Sequence, residues 1–150
     1  GSAFLLGHQR VSDDGGFVFL NQGSLIDSKG RPEGAGGASF YSFTDATVGS
    51  FIRAGENTTY GQYSYDFASL GVPGLKASIA YLDGRDIKAT SGVGKDLNEH
   101  ETDARVDYVI QTGPLKGFGT TLRHGTYGGN TSTANQDQTR LIFNYTYSFL

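Results

Sequence analysis

The stretch "ETDARVDYVIQ", residues 101–111, alternates polar and apolar side chains almost without a break. Thr102, Ala104, Val106, Tyr108 and Ile110 fall on one parity, and Glu101, Asp103, Arg105, Asp107 and Gln111 on the other. Successive side chains of an extended chain point to opposite sides, so a period of two marks a β-strand with two unlike faces. Two settings suit such a strand: a protein core against water, or lipid against a polar lumen.

The pattern recurs on both sides of this stretch. In "LKGFGTTLRHGTY" (residues 115–127) Phe118, Thr120 and Leu122 oppose Gly119, Thr121, Arg123 and Gly125. In "QTRLIFNYTYSFL" (residues 138–150) Leu141, Phe143, Tyr145, Tyr147 and Phe149 oppose Gln138, Arg140, Asn144, Thr146 and Ser148. Upstream, Leu75, Ala77, Ile79 and Tyr81 oppose Lys76, Ser78 and Ala80, while Tyr63, Tyr65 and Phe67 oppose Gln62, Ser64 and Asp66. The opening segment is less regular, because Leu5 interrupts its polar parity. The alternation predicts six strands, over about 3–11, 57–69, 74–86, 101–112, 115–128 and 138–150, in an all-β antiparallel sheet with a long loop over 12–56. Strands of this length match a tilted crossing of a bilayer, whereas soluble strands have a mode near ~5–6 residues.

The connections carry a second regularity. "LGVPG" (residues 70–74) and "TGP" (residues 112–114) read as tight turns, since glycine and proline supply the required dihedrals. The remaining connections are long and polar. Short turns at one end and long loops at the other describe a transmembrane β-barrel. The long loop has a glycine-rich middle, "GRPEGAGGASF" (residues 30–40), between the aromatic patches "GFVFL" and "FYSF". It reads either as a segment folded into a pore or as an external flap.

Composition narrows the class further. The chain has 150 residues, of which 23 are glycine, and its aromatics are all Tyr and Phe. It has no cysteine, which rules out disulfides and cysteine-based metal sites. A net charge of −3 provides no electrostatic footprint for nucleic acid. No apolar run approaches the ~20 residues of a membrane helix, but membrane strands escape that test because only alternate residues are apolar. Leu, Ile and Val are too sparse to fill a sandwich core comfortably, which favours the barrel over a soluble β-rich binding or adhesion module.

Catalytic patterns are weak. His8, His100 and His124 coexist with many Ser and Asp residues, yet there is no G-x-S-x-G elbow. "SGVGKD" (residues 91–96) has the Gly-Lys of a phosphate loop, but Asp96 stands where Ser or Thr belongs. No cofactor and no metal site is expected, and the chain does not read as an enzyme.

The stretches "AGENTTYGQYSYDFASLGVPGLKASIAYLDGRDI", "ETDARVDYVIQTGPLKGFGTTLRHGTY" and "NQDQTRLIFNYTYSFL" resemble the carboxy-terminal portion of OprD-family porins, and "SAFLLGHQRVSDDGGFVFLNQG" resembles the segment before a late long loop of that family. "YDFASLGVPGL" and "YVIQTGPLKG" are the most specific parts. The resemblance implies a Gram-negative outer-membrane location and a share in an 18-stranded up-and-down barrel. Six strands leave two open edges, so the expectation is a fragment of a longer porin, with several copies completing one barrel as the other arrangement. It also implies a passive, substrate-selective channel for small carboxylate-bearing solutes such as amino acids, with an arginine-lined wall faced by acidic groups. Parity puts Arg105, Arg123, Arg140 and Lys76 on the polar face as the basic side of that path. Asp66, Asp103, Asp107 and Asn144 share the face, while Arg53, Arg85 and Lys88 are expected at the extracellular mouth. The expected partners are solutes, the lipid bilayer with its lipopolysaccharide, and the insertion machinery that recognises aromatic-rich final strands.

Overall fold

The structure, a computed structural model, describes residues 1–14, 25–26, 32–33, 42–89 and 96–146. The patch at 16–20, the glycine-rich stretch 30–40 apart from the backbone of 32–33, the loop 91–95 and the terminal residues 147–150 lie outside the described residues.

Six strands form one antiparallel sheet: β1 (Ser2–Arg10), β2 (Asn57–Asp66), β3 (Leu75–Ile87), β4 (Leu97–Val109), β5 (Phe118–Gly129) and β6 (Gln136–Tyr145). Each pairs with its neighbour in sequence, so the sheet is an up-and-down meander with β1 and β6 at its edges. A two-residue ladder joins Leu25 to Glu33 and Ile26 to Pro32. Among the described residues no helix is long and apolar enough to cross a membrane.

The strand ends differ from the alternation in places, for local reasons. β2 stops at Asp66 because Phe67–Leu70 form a 3-10 turn, whose Ala68 N–H donates to Asp66 Oδ1 at 3.0 Å. Gly71 and Gly74 follow at φ +84° and +89°, a region that glycine enters without a Cβ penalty. Gly113 and Gly117, at φ +82° and +87°, do the same between β4 and β5. At the other end β4 begins at Leu97 rather than Glu101, which adds Glu99 to its polar face.

Burial is inverted relative to a soluble domain. Large apolar side chains of the outer parity stand open, as Leu6 (83% exposed) and Phe143 (61%) show. A contiguous apolar surface of this kind needs a lipid or protein partner. Its upper limit steps along the sheet, from Leu6 and Tyr81 on β1 and β3 to Leu122 and Leu141 on β5 and β6, which are two rows nearer the short turns. A horizontal apolar band cuts tilted strands in this way. The buried side chains instead include Phe51, Leu82, Tyr127, Thr44, Thr47, Thr58, Glu56, Glu99 and Glu101. They lie where residues 42–56 pack onto the polar face at the end away from the tight turns.

Candidate functional site

On the polar face β4 carries Glu99, Glu101, Asp103, Arg105 and Asp107 in succession. Antiparallel register extends each position sideways. Arg105 stands opposite Arg123, and Arg123 opposite Arg140, so the three arginines form one row across β4, β5 and β6. One step towards the long connections, Asp103 faces Gly125 and Ala80, and then Glu101 faces Tyr127 and Leu82. The wall is therefore acidic at one end and basic immediately below it.

The acidic end is covered by the segment 42–56. Glu101, fully buried, accepts hydrogen bonds from the backbone N–H groups of Val48 and Gly49, each at 2.7 Å. Asp103 Oδ2 accepts from Thr47 N at 3.0 Å. Arg53 donates to Glu99 Oε2 at 3.0 Å and to Thr133 Oγ1 at 2.6 Å, and the Tyr127 hydroxyl donates to the same Glu99 oxygen. From β1, Gln9 Nε2 donates to the carbonyl of Phe51 at 3.0 Å. Charge-assisted bonds of this kind are about twice as strong as neutral ones.

Small residues in the wall make room for the segment. A Cβ at Gly7 would collide with the ring of Phe43, and one at Gly84 would collide with Glu56 Oε1 and meet Phe51 Cδ1 at 3.0 Å. A Cβ at Gly125 would meet Thr47 Cβ at 2.7 Å. Phe51, 1% exposed, is held at φ +54°, a conformation costly for a bulky residue, and full burial of its ring offsets that cost. Of the two readings of the long loop, the described part, residues 42–56, lies on the polar face.

Glu56, which ends this segment, is fully buried, and its Oε1 has no hydrogen-bond partner among the described residues. Burial pushes its carboxyl up to about 7, the Arg53 N–H at 2.8 Å works against that rise, and the neighbouring Glu99 adds to it. For Arg53, burial works against the charged form but is outweighed by Glu99, which keeps the guanidinium protonated.

The expected path residues differ in how much of their charge is already matched. Arg105 donates from Nε and Nη2 to both oxygens of Asp107, each at 2.7 Å, so its charge is balanced within its own strand. Arg123 lies 3.9 Å from Asp103 Oδ2, a looser pairing with a carboxylate that Thr47 N also uses. Arg140 bonds only neutral acceptors among the described residues, Gln138 Oε1 at 2.8 Å and the Thr47 carbonyl at 2.7 Å. Lys76 pairs with Asp66 at 3.3 Å beside the tight turn that Asp66 caps. Asn144 sits over Gly119, near the same end of the wall.

Two of the residues expected at the mouth have definite places. Arg53 belongs to the docked segment and grips the wall, because β4 extends far enough to present Glu99. Arg85 lies on the outer face of β3, paired with Asp83 at 2.7 Å, because its parity is that of Tyr81. The residues that sequence reasoning missed are Glu99, Phe51 and the amides of Thr47, Val48 and Gly49. Backbone donors leave no mark in a side-chain pattern, and "NEHE" (residues 98–101) is polar at all four positions, so alternation of polar and apolar residues does not extend β4 to Glu99. The three histidines share the outer face, away from the buried carboxylates, and among the described residues no cluster could hold a metal.

A wall of long antiparallel strands, apolar outside and charged inside, with a segment folded over its charged face, defines a sector of a transmembrane β-barrel. The description "outer membrane porin, OprD family" matches residues 1–149. Porin D of Pseudomonas aeruginosa is 31% identical over 98% of this chain and 35% of its own length. Porin-like protein GalP of Pseudomonas putida is 27% identical over the whole chain and 32% of its own length. The crystal structure of Pseudomonas aeruginosa OccK8 (OprE) is similar at a TM-score of 0.79 and 38% identity, covering 100% of this chain and 33% of that one. OccK9 (OpdG) of the same organism is similar at 0.80 and 32% identity, covering 97% of this chain and 33% of that one. The chain belongs to the OprD family of outer membrane porins, which are channels and not enzymes. Its place is the bacterial outer membrane, and it spans about a third of the length of these 18-stranded relatives.

Proposed function

We propose that the chain forms a sector of the wall of a passive channel that selects small carboxylate-bearing solutes, amino acids among them. The observation that carries this reading is the in-register row Arg105–Arg123–Arg140, set on the polar face directly below carboxylates that the segment 42–56 already occupies. Backbone amides consume Glu101 and part of Asp103, and Arg53 consumes Glu99. The open part of the wall therefore presents the arginines. A guanidinium stays charged at any physiological pH and can hold a carboxylate through two parallel bonds.

Within the row, Arg123 and Arg140 carry most of the attraction, since Asp107 balances Arg105. Asp107 keeps a partly exposed acceptor for a substrate's ammonium group, Asp103 is taken up by the segment, and Asn144 offers a neutral acceptor nearer the tight turns. Asp66 and Lys76 neutralise each other at that end and serve mainly to close the β2–β3 turn. The segment 42–56 narrows the path, so that solutes pass close to the row. By the usual asymmetry of such barrels the tight turns face the periplasm. The outer face then meets lipid and lipopolysaccharide, and the aromatic end of β6 serves insertion.

The test is selectivity in planar bilayers with the whole barrel. A guanidinium about 4 Å from a carboxylate is worth about 1 kcal/mol in water, or about fivefold. Arg123→Ala with Arg140→Ala should therefore lower carboxylate flux by at least about fivefold and shift the reversal potential towards cations, while Arg105→Ala alone shifts it little. Unchanged selectivity in the double variant would remove the row from the path.

A further inference from the structure

The outer face of β1–β3 holds a cavity that the channel reading does not use. It lies where Leu6, Gly61 and Tyr81 stand in register, at the upper limit of the apolar band. Gly61 has no side chain, so the space between Leu6 and Tyr81 is open, with a volume of about 550 Å³ that extends up to His8, Thr59 and Arg85. Pockets for small molecules run from about 300 to 1,000 Å³. The lower half is hydrocarbon and continuous with the exposed Phe4 and Ile79 below it. The upper half is polar on every strand.

The chemistry of that upper half is mixed in a particular way. Arg85 uses Nε on Asp83, and its two Nη atoms make no bond among the described residues. His8 uses Nδ1 on Thr59 and leaves Nε2 open on the same terms, while Arg10 stands exposed one row higher. These donors suit an anion with several oxygens. Beside them Asp83 and Asp86 are already engaged, the first by Arg85 and the second by Asn57 Nδ2 at 2.7 Å. Their remaining oxygens, with Thr59, are acceptors for hydroxyl groups. A slot with an aliphatic base, phosphate-type donors and hydroxyl-type acceptors matches an amphiphile whose head is a phosphorylated sugar.

We propose that this cavity binds one phosphorylated glycolipid of the outer leaflet, with an acyl chain over Gly61 between Leu6 and Tyr81 and a phosphate at Arg85 and His8. Its position on the lipid-facing surface, at the boundary of the apolar band on the side of the long connections, puts it level with outer-leaflet headgroups. Continuity with the lipid-facing belt separates it from the solute path on the opposite face of the same strands.

Protein extracted from outer membranes in mild detergent and analysed by native mass spectrometry tests this. The added probes are bis-phosphorylated lipid A, its dephosphorylated form and phosphatidylethanolamine. The wild type should hold one bis-phosphorylated lipid A in preference to the other two. Gly61→Leu, which fills the slot, should weaken that binding by about tenfold or more while leaving channel conductance unchanged. Arg85→Gln should erase the preference for the phosphorylated form. If Gly61→Leu does not fold, Gly61→Ala replaces it, because a Cβ there meets only Leu6 Cδ2 at an ordinary 3.7 Å, and reduced binding is again expected. Equal binding of phosphatidylethanolamine, or undiminished lipid A binding in the Gly61 variant that folds, would overturn the proposal and reduce the cavity to ordinary lipid contact.

Discussion

Replacing Glu101 by Gln changes one atom and separates a docked segment from one that merely lies nearby. The carboxylate takes the Val48 and Gly49 amides on its two oxygens, each at 2.7 Å, and is inaccessible to solvent. Glutamine keeps one oxygen but turns its NH₂ towards the other amide, donor against donor. The loss is one charge-assisted bond, about 1.5–3 kcal/mol, together with the burial of an unsatisfied N–H. A net of about 3 kcal/mol lowers the ratio of docked to released segment by about 150-fold. Asp103, Glu99, Gln9 and Arg140 still hold residues 42–56, so release should be intermittent and not complete. Single-channel recordings of the Glu101→Gln barrel should show added open-state fluctuation and a larger mean conductance, and protease should nick residues 42–56 faster. A gel shift on heating would establish that the barrel itself is folded. A folded Glu101→Gln channel with wild-type conductance, noise and protease resistance would refute the docking argument.

Docking should also respond to pH through Glu56. Its carboxyl, held near 7 in the docked state against an ordinary 4.5, binds its proton more tightly docked than released. The contribution is thus fully present below about 4.5 and is lost as pH rises through about 7, so fluctuations should increase over that window. Glu56→Gln, whose oxygen still accepts the Arg53 N–H, should flatten the response; a profile identical to wild type would exclude Glu56 as the titrating group. Gly84→Val should unseat Phe51 and Glu56 at a cost of about 1–3 kcal/mol while favouring β3 itself, and this should appear as a wider channel with an intact heat-shift. A Gly84→Val channel as narrow as wild type would mean that Phe51 repacks without leaving the wall.

Much of the wall is legible in the amino-acid sequence. Alternation identifies a strand locally, because which way a side chain points depends only on its own parity. The tight turns extended that reach, since a hairpin closed at Gly113–Gly117 forces Arg105 opposite Arg123, as the β2–β3 turn forces Asp66 opposite Lys76. The next pairing, Arg123 with Arg140, spans a long connection whose length does not set a register, so the third member of the row had to come from the fold. Val109 and Ile142 break the alternation, yet both stay in their strands, since β4 runs to Val109 and β6 passes through Ile142 to Tyr145.

The amino-acid sequence by itself therefore determined the strands, their two faces, the family and the supply of charges. Only the tertiary structure decided which of those charges are available. The segment 42–56 reaches the wall through backbone amides and through the absence of side chains at Gly7, Gly84 and Gly125. Neither has a periodicity, because a peptide N–H is the same at every residue and a glycine in a strand looks like a weak point until something fills the space above it. That contact converts Glu99, Glu101 and Asp103 from wall charges into anchors, while Arg105, Arg123 and Arg140 stay in register just beyond it.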